Sequence, residues 1–251
     1  MMAFRSHYGD DPNQFGDLRG AGPGAPVAIV IHGGFWRAAY GLDHIERLAE
    51  ALPPLGIATW NVEYRRIGQP DGGWPGTVDD VERAAAHLGK LGAEHGLDLA
   101  RVIAIGHSAG GHLALSLAAR KPIPLRGVIS LAGVADLRRA WELQLSRGVV
   151  REFLGAAPEE DPERCRAASP IDRLPFGVRQ LLVHGDRDET VPIEISRRHV
   201  EAARALGDDA RLITLAGAGH MEVIDPGAAV WHEIEDAVRE LIGERAPAGL
   251  L

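Results

Sequence analysis

Short apolar runs alternate with longer amphipathic segments along most of the chain. Each run is rich in Val, Ile or Leu and is bounded by Gly or polar residues, which is typical of strands buried on both faces. The runs are Val27–Ile31, Ile57–Val62, Val102–Ile105, Val128–Leu131, Leu181–His184 and Leu212–Leu215. We therefore predict that these segments form the strands of a buried sheet.

The amphipathic segments predict helices, because their apolar residues recur three and four positions apart. These segments are Leu42–Leu52, Val78–Leu91, Ser108–Arg120, Ile193–Leu206 and Ala228–Leu241. Strands that alternate with helices form parallel sheets, and their crossovers are right-handed. The pattern thus predicts an α/β fold with a doubly wound, mostly parallel sheet that carries helices on both faces.

Two regions interrupt the alternation. Residues 1–26 are rich in Gly, Pro and Asp and are predicted to form a short antiparallel edge. Residues 136–178, called the cap segment below, are helical but irregular in pattern. We expect this insertion to form a small helical cap over the carboxyl ends of the strands, where open α/β sheets bind ligands. No internal repeat is found, so a single domain over residues 1–251 is expected.

Charge and composition limit the kinds of molecule that this protein is expected to bind. The formal net charge is −8, from 27 Lys and Arg against 35 Asp and Glu, which argues against nucleic acid or an anionic membrane as the main partner. Cys165 is the only cysteine, so no intrachain disulfide is possible. The first residues lack the apolar stretch of a signal peptide, and a cytoplasmic monomer or homodimer acting on a small molecule is expected.

The candidate nucleophile is Ser108. The run Val102–Ile105 leads directly into a G-x-S-x-G motif, Gly106 to Gly110, and a helical pattern follows. A serine at such a sharp strand-to-helix turn is exposed to substrate, and small flanking residues let backbone segments pass closely. A bare G-x-S-x-G match also occurs in Gly-rich turns with an incidental Ser, but its place between a strand and a helix favours a nucleophile.

A second loop predicts an oxyanion hole. The run Val27–Ile31 ends in residues 32–36, His-Gly-Gly-Phe-Trp, called the oxyanion loop below. It is similar to the HGGG loop that donates a backbone N–H to the oxyanion in lipases and esterases, with Phe35 in place of the third Gly. Gly33 and Gly34 are expected to bring the backbone close to the substrate carbonyl, and the N–H of Ala109 is the predicted second donor.

Aromatic residues beside these loops are candidates for substrate contact. Phe35 and Trp36 follow the oxyanion glycines, and His107 precedes the nucleophile. We predict these three as substrate-binding residues, although Trp36 is equally suited to packing the loop against the domain, and packing is the favoured role for Phe35. His32 is better suited to fix the loop by hydrogen bonding than to act as a base.

The candidate acid and base follow later strands. Asp186 and Asp188 lie after Leu181–His184, and His220 lies after Leu212–Leu215. The order Ser, Asp, His along the chain is the α/β-hydrolase order. His220 would accept the Ser108 proton and later donate it to the leaving group. Spacing alone does not choose between the two aspartates.

Four motifs together resemble a known group of enzymes. They are His32-Gly33-Gly34-Phe35-Trp36, Gly106-His107-Ser108-Ala109-Gly110-Gly111, His184-Gly185-Asp186-Arg187-Asp188-Glu189-Thr190-Val191-Pro192 and Gly219-His220. This combination resembles the esterase/lipase-type α/β-hydrolases, and within them small bacterial carboxylesterases and kynurenine formamidases. The resemblance runs from about Tyr8 to Leu241, so it implies the α/β-hydrolase fold for essentially the whole chain.

The resemblance also assigns roles. The triad acid occupies the fifth position of an H-G-x-x-D-x-x-V-P segment, which implies Asp188, and Asp186 is then expected to shape the loop. Arg65 and Asp80 match positions of two further family segments and are expected to form a structural charge pair. In the formamidases the aromatic residue of H-G-G-x-W lies near the substrate, which would apply to Trp36.

These observations favour a serine hydrolase that cleaves a small carboxylic ester through an acyl-Ser108 intermediate. An arylformamidase that hydrolyses N-formylkynurenine is the alternative, because the oxyanion chemistry is the same. A hydrolase-fold binding protein without activity is disfavoured, since such proteins usually lack a triad residue. No His, Cys or carboxylate set has metal-ligand spacing, so we expect neither a metal nor a cofactor.

Overall fold

A computed structural model describes residues 3–243 of the chain. Within these residues eight strands form one sheet in the order β1-β2-β4-β3-β5-β6-β7-β8. The strands are β1 Phe4–His7, β2 Phe15–Arg19, β3 Val27–Ile31, β4 Ala58–Val62, β5 Val102–His107, β6 Gly127–Leu131, β7 Arg179–Gly185 and β8 Ala210–Leu215.

The strand pairing confirms the predicted α/β class. All neighbours from β4 to β8 in the sheet are parallel, and β1 and β2 add an antiparallel edge through β4. The strand order moves outwards in both directions from β3, as in a doubly wound sheet. The carboxyl ends of the parallel strands therefore lie along one edge, where the candidate site loops follow β3, β5, β7 and β8.

Nine α-helices and several 3-10 turns connect the strands within residues 3–243. The α-helices are α1 Glu46–Ala51, α2 Gly76–Ala86, α3 Leu88–His95, α4 Ala109–Arg120, α5 Leu137–Glu142, α6 Val149–Leu154, α7 Pro162–Ala168, α8 Glu194–Ala205 and α9 Trp231–Ile242. The 3-10 turns are Leu42–Ile45, Pro53–Leu55, Leu145–Arg147, Pro170–Arg173 and Glu222–Ile224. None of the helices described is both long and apolar enough to cross a bilayer.

One helix prediction is wrong in its extent. The segment Val78–Leu91 was expected to be continuous, but α2 and α3 are separate helices that meet at His87. The Lys90 amide donates to the His87 carbonyl at 3.0 Å, a tight three-residue turn between the helices. The His87 imidazole also bonds the Ser6 hydroxyl at 2.9 Å, a contact with the edge strand that apolar periodicity does not reveal.

Two apolar cores lie on opposite faces of the sheet. In β3, Val27, Ile29 and Ile31 pack towards α2, α3, α4 and α8, whereas Ala28 and Val30 pack towards α1 and α9. Successive side chains of a strand point to opposite faces, so a strand covered by helices on both sides needs an unbroken apolar run. This arrangement fixes β3 and β5 in the centre of the sheet and holds the loops at their ends.

The cap segment lies between β6 and β7 and contains α5, α6 and α7. Its Phe153 ring stacks on Trp36 of the oxyanion loop with ring centres 4.4 Å apart. Its Ala168 carbonyl accepts a hydrogen bond of 2.9 Å from Nε2 of His112, one turn into α4. The segment is therefore held against the two loops that carry the candidate nucleophile and oxyanion donors.

Candidate active site

Ser108 occupies a strained turn between β5 and α4. Its backbone has φ 55° and ψ −117°, a combination that a non-glycine residue adopts only when its surroundings enforce it. The Ser108 amide donates to the Leu131 carbonyl at 2.9 Å, and its carbonyl accepts from the amides of Val134 and His112 at 3.2 Å each. These three bonds hold the nucleophile at the sharp turn that the sequence motif predicts.

The glycines of the G-x-S-x-G motif are required by close backbone packing. A Cβ atom on Gly106 would lie 2.1 Å from the Gly110 carbonyl oxygen, and one on Gly110 would lie 2.1 Å from the carbonyl oxygen of Ile31. Both distances are far below van der Waals contact. Any side chain at these positions would therefore push β3 and α4 away from the nucleophile turn.

The oxyanion loop lies directly against the nucleophile. A Cβ atom on Gly33 would approach Cβ of Ser108 to 3.1 Å and the carbonyl oxygen of His107 to 2.9 Å. Gly34 has φ +104°, and a side chain there would collide with Tyr40 at 2.4 Å. The two glycines thus allow the loop to pass beside Ser108 in a conformation that other residues rarely adopt.

The predicted oxyanion donors are the backbone amides of Gly33, Gly34 and Ala109. No acceptor for the amides of Gly33, Gly34 or Ala109 is found in the described part of the chain. Ala109 is the first residue of α4, and the first amides of a helix lack partners within the helix. The positive end of the helix dipole also favours an anion at this point.

Asp188 is held rigidly as a hydrogen-bond acceptor. Its Oδ1 accepts the amides of Thr190 at 2.8 Å and Val191 at 2.9 Å, and its Oδ2 lies 2.7 Å from Nδ1 of His220. Nε2 of His184 lies 3.2 Å from the same oxygen. Burial alone would raise the pKa of Asp188, but hydrogen bonds from His184, His220 and Val191 hold the pKa well below its ordinary value. The carboxylate is therefore ionised.

Asp186 faces the other way on the same loop. Its Oδ1 accepts the amide of Gly217 at 2.7 Å, which ties the loop after β7 to the loop after β8. The Gly219 amide, next to His220, is bonded to Glu222 at 3.1 Å. Asp186 thus has the contacts of a loop-shaping residue, and Asp188 has those of a partner for His220.

His220 is oriented by its bond to Asp188. A carboxylate only accepts hydrogen bonds, so Nδ1 of His220 carries the proton that joins them. No partner for Nε2 is found among residues 3–243, and the side chain is 12% exposed. The ring lies against that of His107, with centres 4.5 Å apart, next to Ser108 in the chain. The three predicted triad residues are thereby gathered at one edge of the sheet.

Trp36 is completely buried in this structure. It stacks on Phe153 and meets the His112 ring edge-on with centres 5.2 Å apart. Phe35 is half-buried, and both residues have positive φ, 50° for Phe35 and 58° for Trp36. The packing role that the sequence also allowed for these residues is the one seen here, and contact with substrate stays a prediction.

A buried polar network supports the oxyanion loop from behind. His32 places Nδ1 2.8 Å from the Gly33 carbonyl and Nε2 2.9 Å from Glu63. The other Glu63 oxygen accepts the Leu42 amide at 3.0 Å. Burial raises the pKa of Glu63, but the His32 hydrogen bond and the nearby Arg66 charge outweigh burial and lower it. His32 therefore has the loop-fixing contacts expected from its position at the strand end.

Sequence reasoning assigned no role in the site to Glu63 or His184. His184 is buried, and its Nδ1 bonds the Ser196 hydroxyl at 2.8 Å while Nε2 approaches Asp188. The charge pair expected between Arg65 and Asp80 is present, with two contacts of 2.8 Å. Only the spatial arrangement distinguishes residues that touch the triad from those that brace the fold.

Known proteins are similar to this chain in sequence and in fold. Residues 19–202 match the family model described as BD-FAE. The esterase LipC of Mycobacterium tuberculosis is 33% identical over 247 residues, which cover 85% of this chain and 58% of LipC. A kynurenine formamidase of Aspergillus versicolor is 30% identical over 210 residues, which cover 67% of this chain and 72% of that protein.

Solved structures agree on the architecture. Esterase B from Lactobacillus rhamnosis superposes with a TM-score of 0.81 at 19% sequence identity, covering 96% of this chain and 86% of that one. Similarity at this level of identity shows the fold, and the family model covers most of the chain. The chain therefore belongs to the BD-FAE family and has the α/β-hydrolase fold.

Proposed function

We propose that this protein is a serine hydrolase that cleaves a small carboxylic ester through an acyl-Ser108 intermediate. The observation that carries the proposal is the 2.7 Å bond between His220 and Asp188, which orients the His220 ring while that ring packs 4.5 Å from the ring of His107, the residue before Ser108. A nucleophile, a base and an orienting acid in this order form the unit that acyl transfer requires.

The proposed reaction has two halves. Oγ of Ser108 attacks the ester carbonyl carbon while Nε2 of His220 takes the hydroxyl proton, and the resulting oxyanion is held by the amides of the oxyanion loop and Ala109. Collapse of the tetrahedral intermediate breaks the bond between the acyl carbon and the alkoxy oxygen, and His220 gives its proton to the departing alcohol. Water activated by His220 then attacks the acyl carbonyl and releases the acid and Ser108.

Sequence similarity to LipC and fold similarity to esterase B support ester cleavage. Burial of the site supports a small substrate: Ser108 is 2% exposed, and Trp36 and Phe153 fill the side towards the cap segment. Bulky acyl groups would have to displace this aromatic packing.

Hydrolysis of an N-formyl arylamine is the second candidate. The 30% identity to a kynurenine formamidase over 67% of this chain favours it. The same residues would transfer the formyl group to Ser108, and His220 would protonate the departing amine. Formyl groups are small, so the crowded site does not oppose this substrate.

A rate comparison distinguishes the two candidates. We would measure kcat/KM for p-nitrophenyl acetate, butyrate and octanoate and for N-formylkynurenine, with S108A as the blank. Faster turnover of the acetate and butyrate esters than of the formamide is the expected result. A kcat/KM for N-formylkynurenine that is orders of magnitude higher than for the esters would identify a formamide, not an ester, as the substrate. Absence of S108A-sensitive turnover and of fluorophosphonate labelling in folded protein would refute the hydrolase itself.

A further inference from the structure

Three histidines form a continuous line from the molecular surface to the triad. Nε2 of His44 lies 3.2 Å from Nδ1 of His107, and Nε2 of His107 lies 2.9 Å from the backbone carbonyl oxygen of His220. The rings of His44 and His107 are stacked, with centres 5.4 Å apart. His107 is fully buried, and His44 is partly exposed.

The carbonyl oxygen of His220, at the triad end of this line, determines which ring nitrogens carry protons. A carbonyl oxygen only accepts, so Nε2 of His107 must carry a proton and donate it to His220. In the neutral ring, Nδ1 of His107 is then an acceptor, and Nε2 of His44 must donate to it. Each imidazole in the line therefore has one defined tautomer.

We propose that His107 is a positioning residue that holds the main chain of His220, and that His44 keeps His107 in the required tautomer. The proposal rests on the function proposed above. Asp188 fixes the His220 ring through Nδ1, whereas His107 fixes the backbone from which that ring extends. Two independent anchors, one on the ring and one on the main chain, restrict Nε2 of His220 to a narrow range of positions.

A neutral ring at position 107 also suits the chemistry. When His220 accepts the Ser108 proton it becomes a cation, and the His107 ring centre is only 4.5 Å from it. A second cation there would oppose proton transfer, since like charges at this separation repel. Burial, together with the neighbouring His220 and His44, lowers the pKa of His107 far below its ordinary value, so the ring stays uncharged.

This role differs from the substrate contact that the sequence suggested for His107. Both ring nitrogens are already used, one by His44 and one by His220, and the side chain is 0% exposed. A substrate-binding residue would affect KM, whereas a positioning residue acts on kcat through the placement of His220.

Two amide variants separate the bonds that His107 makes. H107Q places an amide nitrogen where Nε2 was and can still donate to the His220 carbonyl, whereas H107N reaches only the position of Nδ1. We expect H107N to lower kcat by about 100-fold with KM unchanged, the scale of a misplaced reacting group. H107Q should recover most of that loss. Equal losses in both variants, or a change confined to KM, would overturn the proposal.

The wild-type protein supplies a test that does not depend on folding of a variant. Nitrogen-15 NMR of histidine-labelled protein should show His107 as the neutral Nε2–H tautomer at pH 7, with assignment by comparison with H107Q. A Nδ1–H tautomer would refute the proposed hydrogen bond to the His220 carbonyl, and a cationic ring would refute the neutral tautomer that His44 is proposed to hold, even in an inactive protein. Fluorophosphonate labelling of the same sample tests the hydrolase function separately, so failure of one proposal is distinguishable from failure of the other.

Discussion

Nδ1 of His220 and Oδ2 of Asp188 are 2.7 Å apart although the residues are 32 positions apart in the chain. They meet because β7 and β8 are parallel neighbours, so the loops at their carboxyl ends lie side by side. Asp186 is two residues from Asp188 but bonds the Gly217 amide on the neighbouring loop. Among residues 3–243, this loop pair thus contains one carboxylate bonded to the candidate base and one bonded only to a backbone amide.

Replacing Asp188 by Asn should reduce kcat far more than the matched change at Asp186. An Asn side chain presents an NH2 group or a neutral oxygen to Nδ1 of His220 and stabilises neither the productive tautomer nor the imidazolium. The equivalent change in serine proteases lowers kcat by about 10⁴-fold. D186N keeps an oxygen for the Gly217 amide and should retain most of the activity. We would measure kcat on p-nitrophenyl acetate for both variants.

Thermal melting of D188N and D186N provides the control for this pair. Both proteins should melt cooperatively, because neither substitution changes side-chain volume. If D186N were the inactive protein and D188N the active one, Asp186 would be the triad acid and the H-G-x-x-D resemblance would have assigned the wrong residue.

The strained turn at Ser108 predicts that replacing this residue by glycine abolishes activity but gives a more stable protein than replacing it by alanine. S108A and S108G should both fail to form an acyl-enzyme, because each lacks the nucleophilic oxygen. S108G should nevertheless unfold at higher denaturant concentration than S108A, since glycine relieves a backbone strain of about 1–3 kcal/mol. The gain is partly offset by the greater entropy that glycine has in the unfolded chain. Urea unfolding and fluorophosphonate labelling measure the two properties, and an S108G protein that is less stable than S108A by the full entropic cost of glycine would show that the turn stores no strain.

The sequence was sufficient for the parts of the molecule that depend on local pattern. Unbroken apolar runs identified the buried strands, and the order of G-x-S-x-G, Asp188 and His220 identified loops that the parallel sheet brings to one edge. Contacts that depend on the orientation of a ring could not be predicted from local sequence patterns. The bond from His107 to the His220 carbonyl joins residues 113 positions apart, and nothing in their local sequence indicates it.

The role of Trp36 could likewise not be predicted from its local sequence. Its place in H-G-G-x-W allowed both packing and substrate contact, and the choice depends on Phe153 in a segment whose fold was not predictable from periodicity. Short helices and left-handed turns at Gln144, Ser146 and Arg147 give that segment no regular period. The physical reason is that tertiary contacts, and not local preference, determine its path.

Removing the Glu63 carboxylate should destabilise the protein more than removing an exposed one. E63A would leave the amide of Leu42 and the ring of His32 without their acceptor in a buried site. Breaking a buried charged network by removing one partner costs about 3–5 kcal/mol. E233A, at a carboxylate whose side chain is 46% exposed, should change the free energy of unfolding by less than about 0.5 kcal/mol. Urea unfolding of both variants checks this, and similar losses would mean that Glu63 does not brace the loop.

Buried His199 predicts a loss of stability in weak acid. Its Nε2 donates to Oε1 of Gln180 at 2.8 Å, and burial lowers its pKa from 6.5 to about 4. Between these two values the unfolded chain binds a proton at this residue and the folded protein does not. The free energy of unfolding should therefore be fully retained above pH 6.5 and fall with decreasing pH, by up to about 1.4 kcal/mol per pH unit for each such group.

Replacing His199 by a residue that cannot be protonated should weaken the pH dependence of the free energy of unfolding. H199Q keeps an N–H donor for Gln180 but cannot be protonated, so its free energy of unfolding should fall less between pH 7 and pH 5 than that of wild type. His112, whose pKa burial also lowers to about 4, remains in the variant and should leave a residual slope. Urea unfolding at pH 7, 6 and 5 gives both slopes. Identical slopes would show that His199 binds the same number of protons in the folded and unfolded states, contrary to what its burial implies.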